Sequence, residues 1–107
     1  MTHEVILTRF AQNELDQAHD WWTKNRSAAQ ANRWYSSFVR TMLTLETNPE
    51  RVPLAPESAL FPYDVRQLNF GLSGKPTHRA LFSIRDKTVV ILRVRHLSQK
   101  PLSADDF

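Results

Sequence analysis

The chain has 107 residues, with no cysteine and only two glycines. The first absence excludes thiol catalysis, cysteine-ligated zinc and disulfide stapling. The second excludes a glycine-rich loop for cradling phosphate. No window approaches the roughly 18 consecutive apolar residues of a membrane span, and the opening MTHEVILTRF carries no long apolar run behind a basic start. No repeat or low-complexity stretch interrupts the chain. These absences predict a soluble cytoplasmic protein that makes no membrane contact. Hydrophobic residues at 41% and charged residues at 23% are ordinary for a globular protein, and the length suits one domain over 1–107.

What the chain does have is an uneven distribution of charge. Between Val65 and Lys100 lie eight of its fourteen Lys and Arg, namely Arg66, Lys75, Arg79, Arg85, Lys87, Arg93, Arg95 and Lys100, against one acid, Asp86. The formal net charge of +3 therefore conceals a segment at +7 inside a remainder at −4. Seven net charges on one third of the chain repel one another unless something meets them, so the segment asks for an anionic partner, nucleic acid or acidic protein. The bland alternative is a solvated face, or pairing with Asp105 and Asp106 of the tail.

Periodicity supplies the elements. His3 to Leu7 is a short β-branched run, a first strand. From Thr8, a helix cap, Ala11, Leu15, Ala18 and Trp22 recur at helical spacing. Ser27-Ala28-Ala29-Gln30 matches a capping box, and Ala31, Tyr35, Phe38, Met42 and Leu45 continue a second apolar stripe until Asn48-Pro49. The short connection predicts an antiparallel helix hairpin. Pro49 to Pro62 holds four of the six prolines and reads as a loop without regular structure.

Three β-type runs follow, Asp64 to Phe70, Thr77 to Arg85 and Thr88 to His96, the last two joined by Asp86-Lys87 as a tight hairpin. Strict alternation sets Ala80, Phe82 and Ile84 against Arg79, Leu81, Ser83 and Arg85. It also sets Val90, Leu92, Val94 and His96 against Val89, Ile91, Arg93 and Arg95. The expected fold is α+β: a strand, a helix hairpin, then a three-stranded antiparallel meander in one sheet. Its helices cover the apolar face, leaving the other as a basic surface. From Leu97 the tail LSQKPLSADDF is polar and without period.

In this order of elements the chain resembles the RelE/ParE superfamily of bacterial toxins from type II toxin-antitoxin systems, among them relatives described as plasmid stabilisation proteins. The resemblance rests on Ala11 with Trp21-Trp22, on Ala31 and Phe38, and on the proline after the second helix. Further on it rests on Val65-Arg66-Gln67-Leu68, on His78-Arg79-Ala80-Leu81-Phe82-Ser83-Ile84 and on Ile91-Leu92-Arg93-Val94-Arg95-His96. It implies a toxin that arrests growth, pairs with a cognate antitoxin in a hetero-oligomer, and acts in one of two ways. RelE-like members cleave messenger RNA, often within the ribosome. ParE-like members inhibit DNA gyrase without being nucleases, and the ending Val94-Arg95-His96 looks somewhat more like theirs. RelE would have basic residues in the second strand and a C-terminal Tyr; here position 68 is Leu and no Tyr follows Leu97.

Cleavage by 2′-hydroxyl attack needs a proton acceptor, a proton donor and positive charge on the transition state. Guanidinium groups supply the charge but are poor bases, which leaves histidine for proton transfer. The leading expectation is therefore an endoribonuclease with Arg66, Arg79, Arg95 and His96 as its catalytic set. Arg66, Lys75, His78, Arg79, Arg93, Arg95 and Lys100 then form the target-binding surface. A gyrase inhibitor is the alternative, and an inactive nucleic-acid- or protein-binding module a third. Trp21, Trp22 and Trp34 read as core or hairpin packing. No cofactor is implied, and His3 and His19 support no metal site.

Overall fold

The computed structural model describes residues 2–106. Strand β1 (Glu4–Leu7) leads through the cap residue Thr8 into helix α1 (Arg9–Asn25), and Ser27 caps helix α2 (Ala28–Leu43). The Thr8 and Ser27 side-chain oxygens accept the Ala11 and Gln30 amides, at 3.1 and 3.0 Å, each satisfying a donor that a helix start leaves orphaned. Strands β2 (Arg66–Phe70), β3 (His78–Arg85) and β4 (Thr88–His96) form the antiparallel meander. The first strand joins it parallel to the last, giving the order β1-β4-β3-β2. The expected α+β arrangement is thus what the chain adopts.

Helix α2 ends at Leu43, earlier than the Asn48-Pro49 signal, and tightens into a 3-10 turn at Thr44–Glu46. Asn48 then takes a left-handed φ of 46°, which Asn tolerates better than most residues. The proline-rich stretch is more ordered than its composition suggests. It contains 3-10 turns at Pro49–Arg51 and Pro56–Leu60, each opened by a proline whose missing N–H costs nothing there. At Gly71 an added Cβ would fall 1.9 Å from the Lys75 carbonyl oxygen, so only glycine lets the β2–β3 connection close.

Two cores form, one on each side of the sheet. Toward the helices, Ala11, Leu15, Trp34, Phe38 and Met42 meet Phe70, Ala80, Phe82, Val89, Ile91 and Val94. Trp34 is fully buried, whereas Tyr35 of the expected stripe is only half-buried. Phe38 stacks on Phe70 at 4.7 Å between centroids, and Trp34 meets it edge-on at 5.5 Å. On the opposite face Leu81 and Leu92 pack with Ala55, Phe61, Val65 and Leu102. That face, expected to be open and basic, is covered by the proline-rich segment and the returning tail.

A bulge between Leu81 and Phe82 in the β3–β4 register corrects the expected alternation in β4. Leu81 pairs with Arg93 and Phe82 with Ile91, so Leu92 is the extra residue. Directly opposed residues share a face. Val89, Ile91, Val94 and His96 therefore face the helices, while Val90, Leu92, Arg93 and Arg95 face away. Phe38→Ala should cost about 3–5 kcal/mol of unfolding free energy in a urea titration, because it empties the centre of the helix-side core.

Candidate functional site

The expected basic residues do not form one surface. Arg66 lies opposite Phe82, hence on the helix side of the sheet edge, where its guanidinium donates to the Glu50 and Val52 carbonyls at 3.0 and 2.6 Å. Arg79, Arg93 and Arg95 share the other face, since Arg79 is opposite Arg95 and Arg93 is opposite Leu81. Lys75 and Lys100 are exposed in connections outside the sheet.

On that face the protein supplies its own anions. Arg79 is 5% exposed and Glu57 2%. The guanidinium donates to both Glu57 oxygens, at 2.8 and 2.6 Å, and to Gln67 Oε1 at 3.1 Å. The Arg79 hydrogen bonds hold the Glu57 carboxyl down at about 2 despite its burial. Arg93 makes a second bidentate pair with Glu14 of α1, both bonds 2.9 Å, and the same carboxylate accepts the Val94 amide at 2.9 Å. The pairing with Glu14 raises the Arg93 pKa. Glu14 is needed there because β1 pairs with β4 only as far as Ile91. Beyond that point the edge of β4 has amides to satisfy.

The histidines are brought together, on the helix side. His78 and His96 are register partners whose rings meet edge-on at 4.9 Å. His78 is 8% exposed and lies 5.0 Å from the Trp34 ring. Burial, and secondarily the neighbouring His96, pushes its pKa down to about 4, so it is neutral at physiological pH. Ser98 donates its amide to His96 Nδ1 at 3.0 Å, and its hydroxyl lies 2.7 Å from the same atom. The two histidines border a half-open cavity of about 400 Å³ whose walls also include Trp21, Trp22, Gln17 and Gln99.

Trp21 corrects the expectation that all three tryptophans are packing residues. It is 51% exposed, standing edge-on to Trp22 at 5.7 Å on the cavity wall. Its position one residue off the Ala11–Leu15–Ala18–Trp22 stripe was a readable signal of exposure. Glu14 and Glu57, which neutralise the sheet arginines, carried no such signal. Among the described residues no three His, Asp or Glu side chains gather as metal ligands.

Residues 5–101 match the model of the ParE toxin of the type II toxin-antitoxin system parDE. The chain belongs to the ParE toxin family. A structure described as a chromosomal ParDE toxin-antitoxin system from P. aeruginosa is similar in fold, with TM-score 0.74 and 21% identity over 91% of this chain and 98% of that one. The toxin-antitoxin complex RelBE2 from Mycobacterium tuberculosis is similar at TM-score 0.58 and 27% identity, over 90% and 99% of the two chains. No curated protein sequence matches. No helix among the described residues is long and apolar enough to cross a membrane.

Removing one member of the buried pair in this ParE-family chain leaves the other charge uncompensated. Glu57→Ala should therefore lose about 3–5 kcal/mol of stability by chemical denaturation. His78 makes stability depend on pH. Its folded pKa lies below the ordinary value of 6.5, so the unfolded chain binds the proton first. The stability it contributes is complete above pH 6.5 and is lost as pH falls toward 4, by up to roughly 3 kcal/mol. Glu57 adds a separate loss below 4.5. In His78→Gln the slope between pH 6.5 and 4 should flatten in urea titrations across that range.

Proposed function

We propose that this toxin acts in the cytoplasm by binding rather than cutting, as a non-catalytic inhibitor of DNA gyrase held in check by a cognate antitoxin. The observation that carries the reading is the separation of the groups that RNA cleavage would need together. The guanidiniums of Arg79, Arg93 and Arg95 lie on one face of the sheet and the imidazoles of His78 and His96 on the other. Arg79 and Arg93 are each engaged bidentately by a carboxylate of the same chain. A phosphate entering there would have to displace Glu57 or Glu14.

The histidines are also poorly disposed for proton abstraction. With the Ser98 amide donating to Nδ1, a neutral His96 carries its proton on Nε2, so its one lone pair is already engaged. His78 is buried against Trp34 with its Nδ1 2.9 Å from the Thr77 hydroxyl. Membership of the ParE family supports the target class, and the toxin-antitoxin system and toxin-antitoxin complex named for the two similar structures support the partner.

Purified protein added to a supercoiling reaction should inhibit gyrase and accumulate cleaved DNA, while leaving ribosome-bound message intact. His96→Ala should keep that inhibition within about twofold, because no proton transfer is involved. Message cleavage that disappears in His96→Ala, with supercoiling unaffected, would replace this reading with the endoribonuclease one.

A further inference from the structure

The half-open cavity of about 400 Å³ lies between the C-terminal half of α1 and the end of the sheet where β3 begins and β4 finishes. Trp21 and Trp22 of α1 line it, edge-on to each other at 5.7 Å. From the sheet, the register partners His78 and His96 line it, edge-on at 4.9 Å. Trp22 is tied to the core by stacking on the buried Trp34 at 6.4 Å, whereas Trp21 stays half exposed. An exposed indole at the wall of a cavity offers a flat apolar face for a ring to stack on.

The polar groups of this cavity are only partly committed. His78 is more than nine-tenths buried, and its Nδ1 meets the Thr77 hydroxyl, but its Nε2 has no partner among the described residues. Ser98 engages Nδ1 of His96, so the Nε2–H of the neutral ring is a donor, again without an acceptor among the described residues. Gln99 uses Oε1 to accept the His96 amide at 2.8 Å, which leaves its two N–H groups to give. A ligand that met these atoms would gain hydrogen bonds without breaking any the protein already makes.

We propose that the cavity binds a free, uncharged nucleoside, with the base stacked on Trp21 and its hydrogen-bonding edge turned to His78, His96 and Gln99. Flat walls select a planar ring, and adjacent imidazole and amide groups select one whose edge carries several polar atoms. Charge decides against a nucleotide or a nucleic-acid strand. No lysine or arginine lines the cavity, and Glu14 on its wall is already paired with Arg93. The carbonyl end of α1 also disfavours an anion. The volume falls within the roughly 300–1,000 Å³ usual for small-molecule sites, toward the small end. This site stands apart from the face of Arg79 and Arg93, and it does not rest on what the toxin inhibits.

The probe is adenosine, titrated into the full chain by calorimetry and followed through the tryptophan indole N–H signals by NMR. Wild type should bind one equivalent with Kd on the order of 0.1 mM, ordinary for a ligand of this size, and the Trp21 signal should shift. Trp21→Ala should weaken binding about tenfold or more, the loss of one base-on-aromatic stack, while Trp21→Phe keeps it within about threefold. Phe10→Ala, which removes an exposed ring of the same helix outside the cavity, should change nothing. On wild type, AMP should bind more weakly than adenosine, by about threefold or more, because its phosphate finds no cation. No adenosine binding up to its solubility limit, or equal binding by Trp21→Ala, overturns the proposal. So does AMP binding as tightly as adenosine or more so, a comparison that needs no variant and decides even where Trp21→Ala fails to fold.

Discussion

One inserted residue in β4 decides what each face of the sheet carries. Without the bulge at Leu92, strict alternation would set His96 opposite Ile91 and Val89 across the pleat, and would put Arg93 and Arg95 into the helix-side core. No helix residue in that core offers them a counter-charge, and burying two unpaired guanidiniums is prohibitive. The bulge lets Val89, Ile91 and Val94 all reach the helices while both arginines turn away. It also lies where β1 ends, so the freed edge of β4 is taken up by Thr8 Oγ1 on the Leu92 carbonyl and by Glu14 on the Val94 amide.

From that constraint follows the second face. Two arginines of β4 beside Arg79 of β3 would repel one another across a bare sheet, and the fold answers with acids from distant parts of the chain: Glu14 from α1, Glu57 from the proline-rich segment, Asp106 from the tail. The sheet is thus stitched to three otherwise unrelated segments by charge as much as by apolar contact. A buried ion pair is not in itself a large source of stability, since desolvation offsets most of the attraction. What Glu57 and Arg79 contribute is position. Their bidentate geometry fixes the 3-10 turn Pro56–Leu60 over Leu81 and builds the socket that Leu102 enters.

The elements were legible in the sequence because local rules set them. Thr8 and Ser27 announce the helix starts, period-2 runs announce the strands, and Asp86-Lys87 closes the hairpin with Asp86 at a φ of 55°. The face of each residue in β4 was not legible, because a bulge is dictated by what the two faces must bury and leaves no mark in alternation. Nor were the partners of Arg79 and Arg93, which lie 22 and 79 residues away. The bland alternative for the arginines, pairing within the chain, was the nearer expectation. It named Asp105 and Asp106, of which Asp106 meets Arg93 through its backbone carbonyl, and it did not name the two glutamates.

The same geometry explains why a basic segment need not be a nucleic-acid surface. Counterion release rewards lysines and arginines that are free to meet phosphates. Here the central cations of the segment are neutralised before any partner arrives, and exposed ones such as Lys75, Lys87 and Lys100 lie in its connections and tail. A phosphate arriving at that face meets carboxylates already in place, so what counterion release would gain is offset by the ion pairs it must break.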